Sequence, residues 1–311
     1  MSFTTNIKNE ISKENVDMIA SRAELSAILR NSYNKTTNSL DLVLENSTVC
    51  KHIYSLFKEL YNVNIKTEYK TTKFSKNRLY TLVVPNNEEI LKDLSVIDDN
   101  NNYLSVPKSY ITFCEDEKRA YLKGLFLVAG SINDPKTSMY HLEFFIDYFE
   151  EASFVLDLLN EFYLNSKMIE RDKGYMVYIK EAEKIGDFLR LINANQGVMY
   201  YEDIRIYRDH KNMTNRLNNC EQANIEKMLF NSNKQIEDIN LIIEKIGLDA
   251  VDLKIEEAIT YRLKYPESSL QELSEIMSLE TNKPITKSGL NHRFRKIKEM
   301  ANRIRNGNEE E

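Results

Sequence analysis

Eight Lys or Arg residues and a single acid, Glu299, lie between Lys283 and Arg305, a local charge of +7 in a 311-residue chain of net charge −6. The side chains there suit a duplex: Arg forks onto the guanine edge, Asn onto adenine, and Lys neutralises phosphate. Their spacing sorts them. Leu290, Phe294, Ile297, Ala301 and Ile304 follow steps of 4, 3, 4 and 3. At about 100° per residue these gather into one apolar stripe of a helix over 286–305. The other side carries His292, Arg295, Lys296 and Arg303, with Asn291 at its border. Thr286 and Ser288 stand at the helix entrance, where free backbone amides also attract phosphate. On charge and period alone, the solvated face of a helical bundle fits as well as a DNA-reading helix.

Other chemistries find little support. His52, His141, His210 and His292 are scattered without ligand spacing, so neither a metal site nor a cofactor is expected. Cys50, Cys114 and Cys220 form no CxxC pair and no disulfide framework. There is no P-loop or dinucleotide fingerprint, and Ser131 and Ser288 sit beside glycines without a nucleophile elbow. No apolar run reaches the ~18 residues that span a bilayer. With 42% apolar residues, the chain has material for real cores. A cytosolic protein without membrane contact is expected.

The elements that must carry the basic helix read as an α+β fold followed by an all-helical segment. The first two thirds repeat one order. An apolar helix over 19–29 is followed by a strand over 40–45, a helix over 49–61, strands over 64–69 and 78–84, and a helix from Glu88 toward Leu94. The order returns as a helix over 117–129, a strand over 140–146, a helix over 150–163, strands over 167–171 and 175–180, and a helix over 181–192. The core stretches of the lead helices begin at Leu25 and Leu122, 97 positions apart. Residues 193–197 read as a polar break with Gly197 as stop signal, 205–219 as basic and irregular, and 221–245 as a helix ended by Gly247. Further on, Asp252 caps one helix, and Ser269 with Glu272 makes a capping box for the next. A connection over 278–285 then leads to the basic helix, longer than the usual 3–4 residues of a helix-turn-helix.

Ile285-Thr-Lys-Ser-Gly-Leu-Asn-His-Arg-Phe-Arg-Lys-Ile297 closely resembles the recognition segment of the WhiA family of bacterial DNA-binding regulators. Glu257 to Pro266, Ser269 to Leu273, Asn215 to Asn224 and Ser2 to Ile11 resemble that family too, so the likeness spans nearly the whole chain. It implies a duplicated LAGLIDADG homing-endonuclease-like domain over 1–195, with units at about 15–98 and 115–195. A basic linker and connecting helix over 196–248, a helix-turn-helix domain over 249–305 and an acidic disordered tail over 306–311 would follow. Ala120 to Ser131 is similar to a LAGLIDADG helix, and Leu25 to Tyr33 to its worn counterpart. Active nucleases of that fold end each such helix in a metal-holding carboxylate. Here Ser32 and Ala129 fall at those positions and offer magnesium no anionic oxygen. Asp134 comes several residues late, in the turn before Pro135. Gly124 and Gly130 would let the paired helices approach closely.

The resemblance therefore implies a non-enzymatic, sequence-selective transcriptional regulator of sporulation, cell division or chromosome organisation. It would act on double-stranded DNA in the nucleoid, beside another regulator or a cell-division protein, and as a monomer. Asn291, His292 and Arg295 would approach base edges, while Lys287, Arg293, Lys296 and Arg303 hold phosphates. Lys66, Lys70, Lys73, Lys76 and Arg78 are either secondary DNA contacts on a saddle of strands or an ordinary exposed hairpin. Arg205, Arg208 and Arg216 either grip phosphate or dock the domains. A metal-dependent DNA endonuclease and a protein-interaction scaffold are the competing readings.

Overall fold

The computed structural model describes residues 2–13, 17–34, 39–63, 65–71, 78–84, 87–137 and 139–307. These divide into two compact units, Met1–Asp209 and His210–Glu311.

The first unit opens with α1 (Phe3–Ile11), which sequence reading did not anticipate. Its signal is short: Phe3, Ile7 and Ile11 are spaced by four and are its buried residues, and the Ser2 hydroxyl accepts from Thr5 N as N-cap. α2 (Met18–Arg30) leads into β1 (Tyr33–Asn34) and β2 (Ser39–Leu44). α3 (Ser47–Tyr61), β3 (Lys66–Thr71), β4 (Arg78–Val83) and α4 (Glu88–Asp93) complete the repeat. The second copy runs α5 (Glu115–Ala129), β5 (Gly130–Ile132), β6 (Leu142–Ile146), α6 (Phe149–Glu161), β7 (Lys167–Arg171), β8 (Gly174–Ile179) and α7 (Ala182–Leu191).

Each copy builds a four-stranded antiparallel sheet with the same order, β1-β2-β4-β3 and β5-β6-β8-β7. Leu42 pairs with Leu82 and Phe144 with Val177, and all four are buried on the helix-covered face. The short strands β1 and β5 escaped sequence reading, because two or three residues after a helix carry no period of their own. The duplication expected from the repeat is thus present at the level of strand pairing.

α2 and α5 pack along each other at the centre. A Cβ on Gly124 would lie 2.3 Å from the Glu24 carbonyl oxygen, so glycine is what permits the approach. Gly130 serves something else. A Cβ there would meet Phe126 of its own helix, at 2.3 Å from Cδ2, so it lets the chain leave α5 for β5 rather than pairing helices. The buried Glu24 of α2 lies 3.4 Å from the buried Lys123 ammonium across this interface and accepts from His52 Nε2 of α3 at 2.7 Å. Two potential cations around one carboxylate allow these groups to be buried together.

α8 (Asn195–Lys245) is one continuous helix of 51 residues, begun in the first unit and ended in the second. Sequence pattern alone predicts a break over 193–197 and irregular chain over 205–219. The break is confined to the residues after α7, with Asn193 at φ 60°, and 205–219 is helical. Gly197 is no stop signal: a Cβ there would stand 2.0 Å from Ile7 Cδ1, and Glu10 accepts from Gln196 N at 2.6 Å and Gly197 N at 2.9 Å. A carboxylate on the free amides of a first helical turn is electrostatically favoured, so α1 is the cap and seat of α8.

The second unit packs the end of α8 with α9 (Leu253–Lys264), α10 (Leu270–Thr281) and α11 (Lys287–Gly307). Ile239 and Ile242 of α8, Ile259 of α9, Met277 of α10 and Leu290 and Phe294 of α11 share one buried core. Gly247, at φ 83°, turns the chain out of α8. Both expected N-caps are made: Asp252 accepts from Lys254 N, and Ser269 and Glu272 form the reciprocal box.

Candidate nucleic-acid interface

The basic helix is held from behind and below. Leu290, Phe294, Ile297 and Ala301 are buried, and Ile304 is half-buried against the same core. Burying such a stripe is worth roughly 1.5–3 kcal/mol per large side chain, which dictates the face left to solvent. The connection from α10 is shorter than expected, because α10 continues to Thr281 before Asn282 turns it at φ 54°. That residue does the work glycine often does in such a turn. Ser278 then secures the approach, accepting from Ile285 N at 2.9 Å while donating to Ser274 O at 2.7 Å. Thr286 caps the helix, its Oγ1 accepting from Gly289 N at 3.1 Å. Both Thr286 and Ser288 are exposed, but the Thr286 hydroxyl already accepts from the first turn of its own helix.

Lys287, Asn291, His292, Arg295, Lys296 and Arg303 are all exposed, with His292, Arg295, Lys296 and Arg303 on the face opposite the apolar stripe, Asn291 at its border and Lys287 on the flank. Arg295 comes only within 4.0 Å of Glu299, a loose pair. Arg293, expected with the phosphate contacts, lies differently. It is half-buried on the flank toward α9, where it pairs with Glu257 at 3.2 Å and donates to Lys254 O at 3.1 Å. A guanidinium with two internal acceptors is a strut between α9 and α11. Arg262, buried beneath, donates to Ser268 O at 2.6 Å and lies 5.3 Å from the Phe294 ring centre. Its desolvation pushes its pKa below the usual arginine value. It ties the α9–α10 turn to the underside of α11.

The other expected contacts separate. Lys66 is exposed on β3, and Lys70 and Arg78 hold backbone positions at the paired ends of β3 and β4. Lys73 and Lys76 lie outside the described residues. Arg205 donates to Glu202 at 2.7 Å, a bond that raises its pKa. Arg208 donates to Pro135 O at 2.7 Å and Thr137 O at 2.5 Å and lies 4.6 Å from the Tyr140 ring centre. Arg208 therefore holds the start of α8 to the second sheet's loop, whereas Arg205 pairs within α8 and Arg216 is exposed on it. Of the expected tail, Asn306 and Gly307 are in helix α11, and 308–311 lie outside the described residues.

Ser32 and Ala129 do come together, at the lip of one cavity of about 440 Å³ at the ends of α2 and α5. Asp147 and Glu151 also line it, carboxylates that sequence reasoning missed because they come from the start of α6 and the turn before it. Glu151 is buried and accepts from Asn31 Nδ2 at 2.9 Å. Ser32 donates to Ile28 O at 2.9 Å. Asp134 sits in its turn, accepting from Lys136 N at 2.9 Å. Among the described residues no three His, Cys, Asp or Glu side chains gather as metal ligands. Ser32 and Ala129, at the two helix ends, offer a divalent ion no anionic oxygen.

The three parts of the chain match three family models in order: the WhiA N-terminal LAGLIDADG-like domain over 19–97, the WhiA LAGLIDADG-like domain over 118–211, and the WhiA C-terminal HTH domain over 214–301. The chain is 42% identical over 316 residues to the probable cell division protein WhiA of Staphylococcus epidermidis, and 41% identical over 313 residues to that of Bacillus licheniformis. Each alignment covers 99% of this chain and 98% of the relative. The crystal structure of full-length WhiA from Thermatoga maritima shares the fold at a TM-score of 0.57 and 23% identity, covering 97% of this chain and 99% of that one. Fold and site together define a helix-turn-helix protein carried on a duplicated LAGLIDADG-like scaffold. The chain belongs to the WhiA family.

Proposed function

We propose that this protein is a non-enzymatic, sequence-selective DNA-binding regulator that reads the major groove with α11. The observation that carries the reading is the division of that helix: one stripe locked into the core, and the opposite face exposed, basic and amide-bearing. Asn291, His292 and Arg295 are assigned to base edges, and Lys287, Ser288, Lys296 and Arg303 to phosphates. Thr286 and Arg293 are reassigned as cap and strut. The donor set around Ser32 and Ala129 supports binding without cleavage. The relatives' name, probable cell division protein, supports a role in cell division; we extend this to action on the nucleoid beside a further regulator or division protein. Among the described residues no helix is long and apolar enough to cross a membrane.

The test compares Arg295→Ala with Lys296→Ala in fluorescence anisotropy titrations on a target duplex and a scrambled one. Arg295→Ala should bring the two affinities together, at a cost of about 1–3 kcal/mol on the target. Lys296→Ala should weaken both alike and lower the salt slope by about one. Full discrimination and an unchanged slope in both variants would remove α11 from the interface.

A further inference from the structure

The groove beside α11 is built from α8. Two concavities of about 310 and 230 Å³ share Asn231, Gln235 and Leu270 and so run into each other. The first is bordered by Lys234, Asn291, Arg295 and Lys298, the second by Asn224, Lys227, Ser269 and Lys287. Asn224, Lys227, Asn231 and Lys234 follow steps of 3, 4 and 3 and therefore lie on one side of α8. A turn later the core positions Ile239 and Ile242 take over. That polar stripe is thus turned toward the DNA-reading domain without being used to pack it.

Five exposed cations ring this groove: Lys227, Lys234, Lys287, Arg295 and Lys298. Its acid, Asp238, is buried and bound by Arg305 at 2.7 Å, so it does not offset them toward a ligand. The α10 N-terminus at the edge is closed by its own capping box, with Ser269 N donating to Glu272 at 2.7 Å and Glu272 N to Ser269 Oγ at 3.2 Å. An anion in the groove must therefore be held by side-chain cations and amides. Asn291 and Arg295 belong both to the outward face of α11 and to the groove's edge, so a strand on that face continues into it.

We propose that α8 is a second DNA-contacting element, with Lys227 and Lys234 holding the sugar–phosphate backbone of the strand that flanks the bases read by α11. This rests on the assignment of α11 as reader. Sequence reading placed no DNA contact at either lysine, since it saw 221–245 as a connecting helix. The lysines carry affinity without sequence preference, because a phosphate is the same beside every base.

The test uses the full chain and a labelled duplex whose site is selected in vitro with the wild-type protein, plus a scrambled duplex. Each phosphate contact contributes about 0.9 to the salt slope. Lys227→Gln with Lys234→Gln should lower that slope by about two, so wild-type affinity falls about tenfold more than the variant's between 50 and 200 mM salt. The preference for target over scramble should persist, as should the melting curve. Lys51→Gln with Lys58→Gln, which removes the same charge from the exposed side of α3, should leave the slope unchanged. An unchanged slope in the α8 variant, or an equal drop in the α3 variant, overturns the proposal while leaving α11 as reader. A wild-type chain that binds no duplex overturns both.

Discussion

Replacing Gly124 by alanine sets two effects of opposite sign against each other. Glycine inside a helix is about 1 kcal/mol less favourable than alanine, so intrinsic propensity alone predicts a more stable protein. Packing predicts the reverse. The new Cβ would sit 2.3 Å from the Glu24 carbonyl oxygen, 3.0 Å from its carbon and 3.1 Å from its Cα. The obstacle is backbone and cannot rotate aside, so α2 and α5 must separate by about 1 Å to restore ordinary contact. Overpacking of this kind costs about 1–3 kcal/mol, and a backbone clash belongs at the upper end. After the propensity gain, about 2 kcal/mol of destabilisation remains. For a unit spanning Met1–Asp209 that lowers the melting temperature by about 4–8 °C. The chain contains no Trp, so thermal unfolding is followed by far-ultraviolet circular dichroism. Hydrogen exchange of peptides from α2 and α5 assigns the change to the first unit, and DNA binding by the second unit is the internal control. A melting temperature equal to or above wild type would refute the close approach at Gly124.

Glu24→Gln should destabilise the first unit by about 3–5 kcal/mol in urea denaturation, because Lys123 stays buried without its counter-charge. Adding Lys123→Met should recover much of the loss, and strict additivity in that double-mutant cycle would show that the pair does not interact. Stability should also respond to alkaline pH. Burial lowers the Lys8 pKa from 10.5 to about 8, so the unfolded chain binds more protons across that window and stability rises with pH. Burial raises the Cys50 thiol from 9.0 to about 11, which acts in the opposite sense above pH 9. A net gain is therefore expected between about pH 8 and 9, and Lys8→Met should flatten it; an identical profile in that variant would discard the assignment.

Much of the architecture is legible from local pattern. The spacing of Leu290, Phe294, Ile297 and Ala301 sets both the helix and its buried side, since a helical period needs no knowledge of the partner. The same holds for the caps at Asp252 and Ser269 and for the recurrence of one element order at 97 residues, which reappears as two sheets of matching topology. The resemblance of Ser288 to Arg293 to WhiA supplied the functional frame, and the family models agree with it. Misreadings cluster where local signals conflict. Gly197 and the polar stretch after Arg205 looked like interruptions, yet helix propensity is a weak prior and α1 seats the glycine against Ile7.

Tertiary structure alone decided where each long polar side chain spends its charge. Arg293 and Arg295 are two residues apart on one basic helix; the helical period puts Arg295 opposite the apolar stripe and Arg293 on its flank, but does not say what Arg293 meets there. About 200° of rotation points one at Glu257 of α9 and leaves the other in solvent. Arg208 is taken by carbonyls at Pro135 and Thr137, and Glu24 by His52 and Lys123. Lys227 and Lys234 gain meaning only because α8 passes beside α11. Residue type and period determine which face of a helix is buried. The partner of a charged side chain depends on which element lands opposite it, and that is set by the packing of the whole unit.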